Sequence, residues 1–314
     1  MAVLPPDEYK KKMQAQEKEA FAILEAQTKV CMTDKSMFLD LLNKIADHTT
    51  TSVANTILAQ AQKPDATAVT SMSEWQNRNI EIIVNENGYR PKGIYQFAPD
   101  GYFVDEETGE ARPKFKVFKG YDASQTTNPE YAKQVMQNTK PINIFVGETA
   151  DKAKNIGLCN SSPIRVLSWA PNKLIDEKEN ISESVGVLYV PETKTVIIRA
   201  IARNEFFLRL SYEIAHGMLH KELGRAYNRH MHSFEAGIIA YMLCRSAGVE
   251  TDGFYFNDFQ NVVKKYPNNK LFRDMLEHCY EISHELAFRL NNKLKENNNK
   301  AMKQQSEKEV VSIS

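Results

Sequence analysis

Along the first sixty residues the apolar positions recur at helical spacing. Between 7 and 30 they are sparse (Tyr9, Met13, Ala20, Ile23, Leu24, Val30) in a background of Glu, Lys, Gln and Ala, the pattern of a long and largely solvated helix. A second helix is predicted from Lys35 to His48, with Phe38, Leu41, Leu42 and Ile45 as its buried stripe. The cap-forming cluster Thr49 to Ser52 opens a third, Val53 to Gln62, which the Lys63-Pro64 step ends.

From Ile80 the period changes to alternation. Ile80, Ile82 and Val84, then Ile94 to Phe97, Tyr102 to Val104 and Phe115 to Phe118, separated by Gly, Pro and Asp, predict a small antiparallel sheet. Asn128 to Asn138 reads as a connection. Beyond it the strand signals restart at Ile142 to Val146 and Ile164 to Trp169, followed by an acidic loop, Asp176 to Glu183. Val185 to Val190 and Thr195 to Arg199 flank the turn Pro191-Glu-Thr-Lys194 and predict a hairpin. Helices come next at Glu205 to Leu223, Glu235 to Ser246, Asp258 to Lys264 and Lys270 to Lys295. The resulting fold class is α+β in two domains: 1–127 helix-rich with a small antiparallel sheet, 128–140 a connection, 141–295 a second α+β domain, and 296–314 a disordered tail with almost nothing to bury.

Composition changes this picture little. The 314 residues are 42% apolar and 25% charged, with 40 Lys plus Arg against 40 Asp plus Glu, so any nucleic-acid site must be local rather than a product of bulk charge. Four scattered cysteines without a C-x-x-C pair exclude a zinc ribbon or a dithiol redox motif. No apolar run is long enough to span a bilayer and the N-terminus lacks a signal-peptide pattern, so a cytoplasmic protein with no membrane partner is expected.

The densest polar constellation is Ser211-Tyr-Glu-Ile-Ala-His-Gly-Met-Leu-His220. At about 100° per residue Tyr212, His216 and His220 share one helix face, with Glu213 about 60° from His216. The metalloprotease motif H-E-x-x-H uses this geometry, two His binding zinc and the Glu acting as general base; here the segment reads Y-E-x-x-H. Glu235, opening a helix with no other charge until Arg245, either faces a cation or serves as a favourable charge at a helix N-terminus. For His216 and His220 the competing reading is a pair of imidazoles hydrogen-bonded inside a helix pair. His284-Glu-Leu-Ala-Phe288 carries only half the motif and is read with His278 as surface or packing; His230 and His232 read as solvated loop residues, the alternative being that one reaches the cleft.

Across some 250 residues the ordered motifs resemble the LtrC/ArdC group of plasmid and transposon proteins. The resemblance rests on Val53 to Thr67, Trp75, Phe115 to Thr126, the hairpin, Glu213-Ile-Ala-His216, His220, Glu235 with Ala240 to Cys244, and Gly248 to Thr251. It implies an N-terminal domain that binds single-stranded DNA, a zincin-like metallopeptidase domain and, for the ArdC branch, antirestriction in conjugative elements. It also implies His216 and Glu235 as metal ligands and Glu213 as the catalytic Glu, whereas Tyr212 stands where the family has His. Sliding the pair to His216 and His220 restores two imidazoles but puts Gly217 where the base belongs. The expected DNA-binding residues are Arg78, Arg90, Lys92, Arg112, Lys114, Lys116 and Lys119, interleaved with Tyr89, Tyr95, Phe97 and Tyr102. They must act against a local excess of acid, 15 Lys plus Arg to 18 Asp plus Glu over residues 1–125. The expectation is therefore a DNA-binding mobile-element protein with a degenerate zincin-like domain that binds zinc weakly or not at all. The alternative is an active zinc-dependent peptidase acting on a peptide or protein substrate.

Overall fold

A computed structural model describes residues 5–48, 50–105, 109–137, 148–168, 186–198, 203–254, 256 and 259–313. The chain divides into two compact units, Met1–Thr139 with Phe259–Glu277, and Lys140–Asp258 with His278–Ser314.

In the first unit α1 (Pro6–Thr33) buries only Ala20, Leu24, Thr28 and Cys31, as its sparse apolar stripe dictates. Asp34 caps α2 (Lys35–Ala46) by accepting from the backbone N–H groups of Ser36 and Met37, and Ser52 caps α3 (Val53–Gln62) through Asn55 N–H. Two amides on α3 then fix the sheet. Asn55 donates to Phe97 O at 3.0 Å and accepts from Phe97 N–H at 2.7 Å, while Gln62 makes the same pair of bonds to Tyr95. The outer edge of strand β2 (Ile94–Val104) is thereby satisfied by side chains rather than by another strand.

The sheet order is β1-β3-β2, all antiparallel, with β1 Val69–Ser71 and β3 Ala111–Asp122. Ile94 to Val104 is one strand, irregular between Pro99 and Tyr102, rather than two. The stretch expected as a strand at Ile80 to Val84 makes a single bridge, Ile82 to Thr126, because Ile80 and Ile82 are spent on a core around Trp75. Short α4 (Met72–Asn77) supplies that Trp, whose Nε1 donates to Tyr121 O. Beyond Pro99, β2 and β3 form an arm of two strands with Tyr102 and Phe115 exposed. Asn128 to Asn138 is no plain connection: Pro129 at the first turn and the Asn128 side chain, accepting from Tyr131 N–H, start α5 (Pro129–Gln137).

In the second unit α6 (Glu148–Ser161) leads to a sheet of order β4-β6-β5: Arg165–Ser168, Thr195–Ile198 and Val187–Val190, with β4 parallel and β5 antiparallel to β6. The predicted hairpin is β5-β6. The strand expected at 142–146 and the acidic loop at 176–183 lie outside the described residues. Helices α7 (Arg203–Leu223) and α8 (Ser233–Ser246) come next, joined by a short 3-10 turn at Gly224–Ala226. Every residue of α8 from Ala236 to Cys244 is buried, as its lack of charge requires.

The chain closes with α9 (Phe259–Val263) and α10 (Asn269–Ile313). The tail expected to be disordered continues this helix to Ile313, since 296–313 holds Lys, Glu, Gln, Ala and Met and neither Gly nor Pro to stop it. No helix among the described residues is long and apolar enough to cross a membrane.

Candidate functional site

The site is built on α7. Gly217 lets β5 and the strand β4 lead-in approach this helix: a Cβ there would lie 2.9 Å from Ile164 Cγ1 and Cγ2 and 3.1 Å from Tyr189 Cε2. With the edge strand so close, Glu213 accepts a 2.7 Å hydrogen bond from Tyr189 N–H. Tyr189 is itself 2% exposed, and its hydroxyl shares a 2.8 Å hydrogen bond with His220 Nδ1. Burial pushes the Tyr189 phenol up to about 12, so it stays protonated.

Tyr212, His216 and His220 do share the face that the helical period assigns them. The Tyr212 and His216 rings meet edge to face at 4.7 Å. Sequence reasoning did not reach the loop that covers this stripe. Tyr227 stacks on His220 at 4.8 Å and on His232 at 5.8 Å, and its hydroxyl shares a 2.9 Å hydrogen bond with His216 Nδ1. His232, expected as a solvated loop residue, is therefore one layer of this stack and only partly exposed. Two residues beyond Tyr227, Arg229 places its guanidinium on Glu213, Nη2 to Oε1 at 2.6 Å and Nη1 to Oε2 at 2.9 Å.

Burial sets the electrostatics. Glu213 is 5% exposed, and a carboxylate taken that far from water needs a counter-charge, which the fork of Arg229 provides. For Arg229 burial opposes the charged form, but the hydrogen bonds and charge of Glu213 outweigh it and raise the pKa. His216 is fully buried; desolvation first, then the positive charge of Arg229, hold its pKa down at about 3, so it is neutral. Its Nε2 makes no hydrogen bond. Burial also raises the Tyr212 phenol, which moves it further from the anionic form a metal would require.

These residues do not fit a catalytic zinc. Such an ion takes three firm protein ligands and an open position for water, beside a free general base. His216 Nε2 qualifies as one ligand. Tyr212 is a protonated phenol, both oxygens of Glu213 are engaged by Arg229, and no group of three His, Cys, Asp or Glu side chains among the described residues is arranged to hold a metal. Glu235 stands in the first turn of α8, with Cys279 Sγ 3.8 Å from its backbone carbonyl. His278 pairs with Glu222 at 3.0 Å, and His284 packs against Tyr280.

The basic residues of the first unit are dispersed. Arg78, at the C-terminal end of α4, is paired with Glu74 at 2.7 Å; Arg90 and Lys92 precede β2 and are exposed. Lys114 and Lys116 on the arm stand 3.6 and 3.4 Å from Asp100, and Arg112 is the register partner of Phe103 in the ladder. Lys119 lies 5.8 Å over the Tyr95 ring. Of the interleaved aromatics, Tyr95 is 8% exposed and Phe97 packs on Phe21 at 4.8 Å, so both belong to the core rather than to a stacking platform. Tyr89 and Tyr102 are exposed, together with Phe103 and Phe115.

The class defined by the second unit is an α+β arrangement in which an edge strand lies against a helix carrying a Y-E-x-x-H stripe, followed by a second helix that is buried throughout from Ala236 to Cys244. No protein family matches the chain, and no curated protein matches it. Among solved structures it is similar to the antirestriction ArdC protein from R388 plasmid. The metal-free crystal structure of that protein matches at 14% identity and a TM-score of 0.45, over 78% of this chain and 84% of that chain. Its Mn(II)-bound structure matches at 14% identity and a TM-score of 0.46, over 77% and 83%.

Proposed function

We propose that the chain is a DNA-associated protein of a mobile element, of the antirestriction type, whose second unit has a zincin-like design and does not hydrolyse peptides. The observation that carries the second half is the engagement of Glu213. A general base must reach the proton of a bound water, and this carboxylate already accepts two bonds from Arg229 and one from Tyr189 N–H. With Tyr212 at the position where the resembled family has a ligand His, no metal-holding set of His, Cys, Asp or Glu is arranged among the described residues, and Glu213 is not a free base.

Single-stranded DNA is the partner this reading assigns to the first unit, and the arm of β2 and β3 is its natural site. Exposed Tyr102 and Phe115 offer faces on which bases stack, and Arg112, Lys114 and Lys116 offer charge for the backbone. Affinity is modest, because Ala98 to Lys116 holds five carboxylates against three basic residues. The test is fluorescence anisotropy of a labelled oligonucleotide with the full chain. Binding that weakens with salt and falls when Arg112, Lys114 and Lys116 are changed together to Ala is expected; a triple variant that binds as the parent does removes the arm from the reading.

A second reading, a zinc-dependent peptidase using Glu213 as base and acting on a peptide or protein, has in its favour the buried His216 Nε2 without a hydrogen bond, a lone pair to offer a cation. Chelator-sensitive peptide cleavage by the unmodified chain, abolished by Glu213→Gln, establishes that reading in place of the first.

A further inference from the structure

The segment between α7 and α8 is fastened to the polar face of α7 at two points. Tyr227 sits between the rings of His220 and His232 and meets His216 Nδ1 at 2.9 Å. Arg229 closes on Glu213 with two bonds of 2.6 and 2.9 Å, and Tyr189 N–H ties the same carboxylate to the edge strand. One buried carboxylate thus joins three elements: the helix that bears it, the strand above and the loop across its face. In metal-dependent sites a divalent ion makes such a junction, cross-linking a helix to a neighbouring segment and neutralising the buried anion.

We propose that Arg229 is the resident cation of this site, a guanidinium that replaces a metal ion as the cross-link between α7, β5 and the 224–232 loop, so that the second unit folds without metal and excludes one. The proposal rests on the non-hydrolytic reading of the site. The planar fork matches a carboxylate bidentately, which a single ammonium cannot do, so the function is specific to Arg rather than to positive charge. Exclusion is a matter of Coulomb's law. Glu213 and His216 lie one turn apart on α7, and a divalent ion drawing on both would stand within a few ångströms of a fixed positive charge. Guanidinium and metal are therefore alternatives. Loss of Arg229 leaves behind the donor set a cation seeks: a buried carboxylate without a counter-charge, held only by Tyr189 N–H, and the bare Nε2 of His216.

The test is thermal unfolding and calorimetric zinc titration of the full chain and its Arg229 variants, after chelator treatment. The unmodified chain is expected to melt at the same temperature in chelator and in excess Zn(II). Arg229→Ala is expected to melt several degrees lower in chelator, to regain part of that loss with Zn(II), and to bind zinc about tenfold or more tighter than the parent, since a unit charge at such range is worth at least that factor. Arg229→Lys keeps the charge without the fork; it should melt between the two and gain no zinc binding, and it serves, with Arg229→Gln, if the Ala variant does not fold. A parent chain stabilised by zinc, an Arg229→Ala midpoint equal to the parent's, or charge-removing variants that gain no zinc affinity each overturn the proposal. An unmodified chain that cleaves no peptide and still takes up zinc sinks the inference alone; one that cleaves peptides sinks the reading beneath it.

Discussion

His216 is a neutral imidazole sealed from water, and that makes it a source of acid sensitivity. Its pKa is held at about 3 in the folded chain against 6.5 for an ordinary imidazole, by burial first and by Arg229 second. Between those values the unfolded chain binds a proton that the folded chain refuses. The contribution is therefore fully present above pH 6.5 and is lost as pH falls through that window, at up to about 1.4 kcal/mol per pH unit. Denaturant titrations from pH 7 to 4 should show this slope, and His216→Gln should flatten it; equal slopes in the two proteins would remove His216 from the account. The cysteines give a second outcome at this scale. Burial raises the thiols of Cys31 and Cys244 to about 12 and that of Cys279 well above its ordinary value; it raises Cys159 too, but that thiol is partly exposed. A thiol reagent at mild alkaline pH should modify Cys159 first, and the other three only on unfolding. The stripe of Tyr212, His216 and His220 is legible because it needs only the helical period. Arg229 and Tyr227 are not, because no spacing rule says that a loop 11 to 16 residues downstream folds back onto its own helix. A signal does exist: Glu213 has to be buried on an otherwise apolar turn, and Arg229 is a cation in the short connection after that helix.

At the scale of elements, the helices with caps are readable and the short or polar elements are not. Ser52, in the cap-forming cluster, announces α3 in the sequence and caps it in the structure, and Asp34 caps α2. Strand β1 is three residues long, too short for any period to register, and α5 reads as a connection although Asn128-Pro129 is a helix start. In α6, too, no apolar stripe marks a helix; its polar composition hides a buried Leu158 and a Gly157 whose missing Cβ makes room for Leu290 and Leu294 of α10. The approach of β5 to α7 rests on Gly217 in the same way. Gly217→Ala puts a methyl 2.9 Å from Ile164 and 3.1 Å from Tyr189, where both neighbours are buried and have nowhere to retreat. The substitution improves helix propensity by about 1 kcal/mol and overpacks by about 1–3 kcal/mol, so a net loss is expected. Because Tyr189 N–H holds Glu213, the same change should also loosen the Glu213 junction, visible as faster amide exchange at Tyr189. A variant as stable as the parent with unchanged exchange there would contradict the close approach.

For the whole molecule the sequence order and the folded units do not coincide. The periodicity completes one helix-and-sheet unit before residue 128 and restarts after 140, which suggests two independent domains in series. The contacts instead assign Phe259–Glu277, far down the chain, to the first unit. Phe38, fully buried on α2, lies 4.8 Å from the Phe259 ring and 6.2 Å from that of Phe272. Arg273 donates to Glu25 at 2.6 Å and to the Thr28 hydroxyl at 3.1 Å, and Glu277 accepts from Val53 N–H at the first turn of α3. None of this is visible in the sequence, since an apolar stripe states that a helix is buried and not which partner buries it. A chain ending at residue 139 therefore exposes one side of Phe38 and leaves the start of α3 without its carboxylate. Loss of two aromatic partners is comparable to large-to-small core changes of about 3–5 kcal/mol, a substantial share of a typical domain's stability. Fragment 1–139 is expected to be expanded or to melt well below the intact chain, and a synthetic peptide spanning 259–277 should restore part of the transition when added in excess. Circular dichroism melts of the fragment, with and without the peptide, measure both effects. A fragment that melts cooperatively at the temperature of the full chain, indifferent to the peptide, would show that the first unit is complete without the returning segment. The sharper control is Phe272→Ala in the intact chain: it removes one ring of the cluster while keeping the connectivity, and should cost a fraction of what the truncation does.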